Sequence, residues 1–302
     1  MAKSLVRYSV VDAFTDSPFK GNPAAVCFLE EEKADDWLQA VATEFNISET
    51  CYVTRTSGPA RFGLRWFTPV AEVASASLFY HSTVELCGHA TLAAAHSLFS
   101  SASVDSDVIE FETLSGILTA KRVPEIKTPC ISVTQNGEAA RFFIELDFPM
   151  VPVSDYSGGQ WALISKALNG TSVIDMKMTA ADDLLVVFSS AEEVENFQPQ
   201  FDEIEKYPGN GLLITAVAPP DSSFDFYSRF FCPKLGINED PICGSAHCAL
   251  APYWCEKLRK DQFIANAASP RGGVLHLQLN KRNQRVLLRG KAVTVMEGSL
   301  LV

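Results

Sequence analysis

Cys87-Gly88-His89-Ala90 and Cys243-Gly244-Ser245-Ala246 place one small device at two points about half the chain apart. Each sets a thiol, a glycine and a polar residue ahead of an alanine-rich run, and Ala90, Ala93 and Ala95 align with Ala246, Ala249 and Ala251. A glycine there lets the backbone turn sharply into a helix whose first amides have no intrahelical acceptor. Those amides and the positive end of the helix dipole suit a carboxylate or phosphate, so Gly88 and Gly244 are candidate anion-site residues. His89 and Ser245 stand at the cap, where Ser245 also suits plain helix capping. Cys87 and Cys243 carry a second chemistry. A helix start favours the thiolate, and two thiols facing each other across a cleft could exchange one proton at a carbon beside a carboxylate, which is cofactor-independent racemisation. Free cysteine is also among the most buried residue types, so both thiols suit packing as well.

Two carboxylates compete with the thiols. Glu49, in Asn46-Ile47-Ser48-Glu49-Thr50, falls where a helix gives way to a strand. Asp240-Pro241 lies just before Cys243 and suits a turn. Cys243, His247 and Cys248 are too few for a four-ligand metal site, and no second cluster completes them, so no metal and no cofactor are expected.

The positioning elements follow from the echo between halves, since Arg65-Trp66-Phe67-Thr68-Pro69 is answered by Arg229-Phe230-Phe231-Cys232-Pro233. A chain of 302 residues holds one large domain or two of about 150. Strands are expected at 6–13, 24–30, about 50–55, 61–67, 108–113 and 116–122. In the second half they are expected near 142–148, 184–188, 211–218, 225–231, 274–279, 285–289 and 292–296. Helices are expected from Asp35, over 89–99, near 190–198 and from about 244, with Pro252 kinking or ending the last one. Short strands without long crossovers favour curved mixed or antiparallel sheets over a doubly wound parallel sheet. Alanine-rich helices can be enclosed by sheet at close range.

Composition narrows the partners. Hydrophobic residues make up 47% and charged residues 20%, as in ordinary globular proteins. The net charge of −11 opposes nucleic acid. No run is long and apolar enough for a membrane helix or a secretion signal, and the eight cysteines are sparse, so a cytoplasmic protein with reduced thiols is expected.

Several longer motifs occur in order: VDAFTDSPFKGNPAAV at 11–26, NISET at 46–50, RWFTPVAEV at 65–73, LCGHATLA at 86–93, EDPICGSAHCALAPYW at 239–254 and SPRGG at 269–273. With them the chain resembles the phenazine-biosynthesis-like (PhzF-like) isomerase family, which shares its fold with diaminopimelate epimerase. The resemblance implies an α+β fold of two pseudo-symmetric domains, 1–124 and 125–302, with the final strand free to cross back to the first. Each domain would be a β-barrel-like curved sheet wrapped around a central Ala-rich helix, with the active site in the cleft between them. It implies that Glu49 is the acid/base, that His89 and Asp240 hold substrate, and that Gly88, Gly244 and Ser245 line the anion site. Family members are often homodimers. The epimerase relatives use two cysteines in the places of Cys87 and Cys243. One departure stands out: Val70–Leu86 is longer than its counterpart Lys234–Ile242, which reads as an insertion near 74–84 that includes His81.

Three functions follow. The first is a cofactor-independent isomerase of a small carboxylic acid using Glu49, whose motif matches the phenazine branch. Burial can raise a glutamate's pKa to about 6–7, where it both takes and returns a proton. The second is a two-cysteine epimerase or racemase using Cys87 and Cys243. The third is a non-catalytic metabolite-binding protein on an inherited enzyme fold.

Overall fold

Strand pairing in the computed structural model, which describes residues 5–73, 87–101, 103–124, 142–207 and 209–301, forms a mixed α/β fold with a large sheet and few helices. The expected insertion at 74–84, with His81, lies outside the described residues, as does Cys130. Contacts divide the chain into two units. One takes in the described residues up to Asp147 together with Leu288–Leu301, and the other runs from Phe148 to Leu287. The division falls later than the boundary expected after residue 124, because the strand that follows pairs back onto the first unit.

In that unit the strands are β1 (Leu5–Ala13), β2 (Asn22–Leu29), β3 (Glu49–Arg55), β4 (Arg61–Phe67), β5 (Val108–Thr113), β6 (Gly116–Pro124), β7 (Phe142–Pro149) and β17 (Ala292–Leu301). They are ordered β7-β6-β5-β4-β3-β2-β1-β17. Pairs β2/β3 and β4/β5 are parallel, and each is bridged by a helix: α1 (Asp35–Phe45) and α2 (Gly88–Ser100). Parallel neighbours require such a crossover, which is why the chain alternates hairpins with helices. The β5/β6 hairpin turns at Gly116, whose φ of 93° is open to glycine. β17, the chain's last strand, pairs with β1 from Ala292 to Leu301.

The second unit holds β8 (Val153–Asp155), β9 (Val173–Thr179), β10 (Leu184–Phe188), β11 (Leu212–Val217), β12 (Phe226–Cys232), β13 (Ile237–Asp240), β14 (Gln262–Ala267) and β15 (Gly273–Asn280). The order is β8-β9-β10-β11-β12-β14-β15, with the short β13 also on β12. Here β10/β11 and β12/β14 are the parallel pairs. Helices α4 (Ala191–Asn196) and α5 (Phe201–Ile204) bridge the first, and α6 (Gly244–Leu258) bridges the second. Antiparallel, parallel, antiparallel, parallel, antiparallel is thus the succession of pairings from β1 to β6, and again from β9 to β15. β16 (Arg285–Gly290), α3 (Trp161–Ala167) and a 3₁₀ turn (Pro233–Leu235) complete the described elements.

Helix α2 is buried at every position from Gly88 to Phe99 and packs on β1, β2, β3, β6 and β17 of its own unit. Two of its polar groups are met there: Ser97 Oγ lies 3.0 Å from Ser9 Oγ, and His96 Nε2 lies 3.1 Å from Thr294 Oγ1. Helix α6 is buried along most of its length, with the Trp254 indole N–H donating to Thr215 Oγ1 at 3.1 Å. Pro252 does not end it. A proline there cannot donate to the carbonyl of Cys248, and the amide of Val151 does so instead at 3.0 Å, so the helix continues to Leu258.

The Arg-aromatic-Phe triplets close each β-hairpin in the same way. Arg65 lies over the Phe67 ring at 5.1 Å and makes two hydrogen bonds to Glu72, at 2.7 and 2.8 Å. Arg229 lies over Phe231 at 5.0 Å and grips Glu239 at 2.7 and 2.9 Å. The second pair is the more buried, and Arg229 also donates to the Phe197 carbonyl beyond the end of α4 at 2.7 Å. Removing one member of a buried pair strands the other's charge, which costs about 3–5 kcal/mol. Arg229→Ala should therefore lower the urea midpoint markedly more than Arg65→Ala, and equal losses would contradict a role for this difference in burial.

Buried histidines make the fold acid-sensitive. Burial depresses the pKa of His89 to about 3 and those of His96 and His247 to about 4. The unfolded chain keeps values near 6.5, so these residues contribute stability above that pH and lose it as pH falls toward their folded values. Between pH 6 and pH 5 each should add about 1.4 kcal/mol per pH unit to the loss. Chemical denaturation across this range should show a shallower slope for His247→Asn than for the parent chain. An unchanged slope would show that His247 is not held neutral by burial.

Candidate functional site

Residue Asn46, in the left-handed region at φ 48°, ends α1 and turns the chain toward β3. Glu49 opens that strand and is buried, at 6% exposure. Side chains two apart on a strand share a face, so Glu49 lies on the face of Cys51. Cys51 Sγ lies 3.2 Å from the Ala25 carbonyl and 3.7 Å from the carbonyl of Ala90 in the first turn of α2. Glu49 therefore occupies the α2-facing side of the sheet, next in line to a residue touching the helix start. Trp66 pairs with Cys51 and shares this face. Its indole N–H is buried with no hydrogen-bond partner among the described residues.

At the start of α2 the N-cap position belongs to Cys87, extended at φ −108°, and its side chain does not cap the helix. The carbonyl of Cys87 receives the Thr91 amide at 3.1 Å, so the amides of Gly88, His89 and Ala90 precede the first intrahelical bond. His89 Nδ1 stands 3.6 Å from Cys87 Sγ, while its Nε2 is buried without a partner among the described residues. Burial keeps this imidazole neutral. A neutral ring can donate from one nitrogen and accept at the other, so it offers a substrate a hydrogen bond and no charge.

Asp240, Cys243, Gly244 and Ser245 lie together in the second unit. The Arg229–Glu239 pair fixes the strand that ends at Asp240, and Asp240 Oδ1 accepts the Ile242 amide at 3.0 Å. That bond shapes the turn into α6, as a turn aspartate commonly does. The N-cap residue of α6 is Cys243; Ser245 is the second residue of the helix and does not cap it. The Ser245 hydroxyl instead lies 3.2 Å from Cys243 Sγ. Each thiol thus touches the polar residue two places on. His247 Nδ1 lies 2.7 Å from the Cys243 carbonyl, and its Nε2 lies 3.3 Å from Ser228 Oγ.

The electrostatics of Cys243 run against the expectation of a ready thiolate. Burial raises its pKa well above the ordinary thiol value, and the charge of Asp240 adds to this. Ser245 and the Ala246 amide lower it, and Asp183 raises it further. The helix start does not overcome burial. Among the described residues no group of three or more His, Cys, Asp or Glu is placed to hold a metal, and no helix there is long and apolar enough to cross a membrane.

The structure gathers the candidates into one set per unit: Glu49, Cys87, Gly88 and His89 in the first, and Asp240, Cys243, Gly244 and Ser245 in the second. Sequence reasoning passed over Trp66 and Asp183. The first was hidden as an ordinary strand aromatic, and the second becomes visible only through strand register.

Comparison with known proteins matches residues 11–298 to the family model of phenazine biosynthesis-like proteins. An uncharacterized isomerase of Halalkalibacterium halodurans is 39% identical over 295 residues, covering 97% of each chain. The human phenazine biosynthesis-like domain-containing protein is 37% identical over 309 residues, covering 96% of this chain and 97% of its own. A crystal structure of a PhzF-family phenazine biosynthesis protein from Enterococcus faecalis superposes with a TM-score of 0.81 at 34% identity, covering 99% of this chain and 100% of that one. With the family model spanning nearly the whole chain and relatives named as isomerases, the chain belongs to the phenazine biosynthesis-like family and is an isomerase.

Proposed function

We propose that the protein moves a proton within a small carboxylic acid without a cofactor, with Glu49 taking the proton and returning it. The Glu49 carboxylate removes a proton from a carbon whose electrons can spread into an adjoining π system. The resulting carboxylic acid then delivers the same proton to a different carbon, and the double bond shifts. Atoms and charge balance with no oxidant or reductant. His89 supplies a neutral hydrogen bond to the substrate and Asp240 orients it, while Gly88, Gly244 and Ser245 receive its carboxylate at helix starts. This reading includes two similarly built, pseudo-symmetric domains, each with its alanine-rich helix at the centre, and a homodimer.

The observation that carries the choice of Glu49 is the burial of the Cys243 thiol beside Asp240, which raises its pKa well above the ordinary value. A two-thiol epimerase needs one thiolate and one thiol, with the roles exchanged for the reverse reaction. Burial and neighbouring carboxylates oppose ionisation of Cys243. Glu49, by contrast, is a buried carboxyl on the helix-facing side of β3. The matched placement of Cys87 and Cys243 keeps the epimerase as the second reading.

A panel of small unsaturated and amino carboxylic acids incubated in D₂O separates the two. The parent chain should wash deuterium into one of them. Glu49→Gln should reduce that exchange by about 10²-fold or more, the usual contribution of a general acid–base residue. The Cys87→Ala/Cys243→Ala chain should keep it within about tenfold. The opposite pattern, with the glutamine variant active and the double alanine variant dead, would establish the two-thiol mechanism instead.

A further inference from the structure

The two units can be aligned through strand register rather than through sequence. Phe67 and Phe231 hold the same place in the Arg-aromatic-Phe triplets. Phe67 pairs with Thr50, and Phe231 pairs with Leu212. Thr50 therefore corresponds to Leu212, and Glu49 to Gly211. On the other side of the same strands, Ala24 pairs with Glu49, while Leu184 pairs with Leu212. The residue before Leu184 is Asp183, which lies beside Gly211 and corresponds to Ala24. One position pair thus reads alanine–glutamate in the first unit and aspartate–glycine in the second. The carboxyl is present in both, carried by adjacent strands.

The local geometry fits this exchange. A Cβ on Gly211 would lie 2.9 Å from Asp183 Oδ1 and 2.4 Å from the Phe230 ring, so the absence of a side chain there is what admits the carboxyl. Thr179 Oγ1 stands 3.5 Å from Asp183 Oδ2 and accepts the Asp183 amide at 3.0 Å. The Leu184 amide donates to the Gly211 carbonyl at 2.9 Å, and the Asn210 amide to the Asp182 carbonyl at 2.7 Å, so the two strand starts are tied together.

We propose that Asp183 is the second unit's proton-exchanging carboxyl, standing where Glu49 stands in the first unit and serving a substrate held at the start of α6. The proposal rests on the reading of Glu49 given above. As the acid, Asp183 gives its proton to a substrate atom gaining negative charge, and as the carboxylate it takes a proton back. As a whole residue Asp183 is half-buried. Burial pushes its pKa up to about 7, helped by the charge of Asp182 and opposed by Thr179 and the Gly211 amide. Tyr207 and Cys243 both feel its charge, Asp240 also acts on Cys243, and the Lys234 ammonium is held at the Gly209 carbonyl at 2.6 Å.

The test needs no identified substrate. Protein labelled with ¹³C at aspartate carboxyls should show one resonance titrating near pH 7, which is absent from Asp183→Asn and retained in Glu49→Gln. In Asp182→Asn it should remain but titrate lower. Iodoacetamide, with the Cys243 peptide followed by mass spectrometry, reads the coupling to α6. Above pH 8 Asp183→Asn should alkylate there roughly three- to tenfold faster than the parent, because a nearby negative charge opposing the thiolate is gone. If no aspartate titrates above the ordinary carboxylate range, or the raised resonance survives Asp183→Asn, the proposal is overturned. It is equally overturned if the resonance behaves as stated but Cys243 alkylates at the parental rate. Because the titration is read in the glutamine variant too, failure of the Glu49 mechanism and failure of the Asp183 assignment give different results.

Discussion

Enclosure of a nearly featureless helix is the constraint on which the first unit depends. From Gly88 to Phe99 no position of α2 reaches solvent appreciably, and strands β1, β2, β3, β6 and β17 surround it. Strands can approach a helix that closely only where its side chains are small, which is the physical meaning of Ala93-Ala94-Ala95. A helix so enclosed has one useful end. Its first amides, preceding Thr91, are held by the packing and follow directly on the Cys87-Gly88 turn. Position at the helix start is therefore set by the core and not by the loop, so a buried carboxyl on β3 can be held in a fixed relation to it.

The same economy operates in the second unit, with different side chains. Bulk that α2 avoids is allowed in α6, where Trp254 stacks on Phe226 at 5.7 Å and His247 lies over the same ring at 6.1 Å. The two bidentate Arg–Glu pairs are the more constant feature. Each fastens the segment leaving an antiparallel hairpin, with the arginine laid on a phenylalanine two residues ahead, and in the second unit that segment leads directly to the Cys243-Gly244 turn.

Much of this was legible in the sequence. The repeated Cys-Gly-polar-Ala pattern placed both long helix starts, and the Val-rich runs placed β1 to β6 within a residue or two. The stretch between β7 and β10 was not legible. β9, Val173–Thr179, does alternate apolar and polar residues from Ile174 to Thr179, but its apolar positions include two methionines, which carry no strand preference, while β8 is three residues long. β14 escaped notice because Gln262 and Asn266 dilute a short apolar run. Pro252 misled for a definite reason. Its effect depends on whether another donor reaches the freed carbonyl, and Val151, distant in sequence, does so. Glu49 could be suspected from its place at an element boundary, but its face on β3 required the Cys51 contact. Asp183 could not be read at all, since its correspondence to the first unit runs through pairings on both sides of a strand.

Burial acts in opposite senses on acids and bases, and this limits which groups can handle a proton near neutral pH. It depresses the imidazoles of His89, His96 and His247, leaving them neutral, and raises the thiols of Cys27, Cys51, Cys243 and Cys248, leaving them protonated. Such groups can give or receive hydrogen bonds but cannot readily change charge. A carboxyl moved in the same direction behaves differently, because its ordinary value lies well below neutrality and burial brings it toward the working pH. Burial pushes Asp183 up to about 7 in this way. In a dry environment built from thiols, imidazoles and carboxyls, the carboxyls are therefore the groups whose proton becomes exchangeable. On the function proposed above, neutral polar residues such as His89 and Ser245 would hold the substrate while a carboxyl moves the proton.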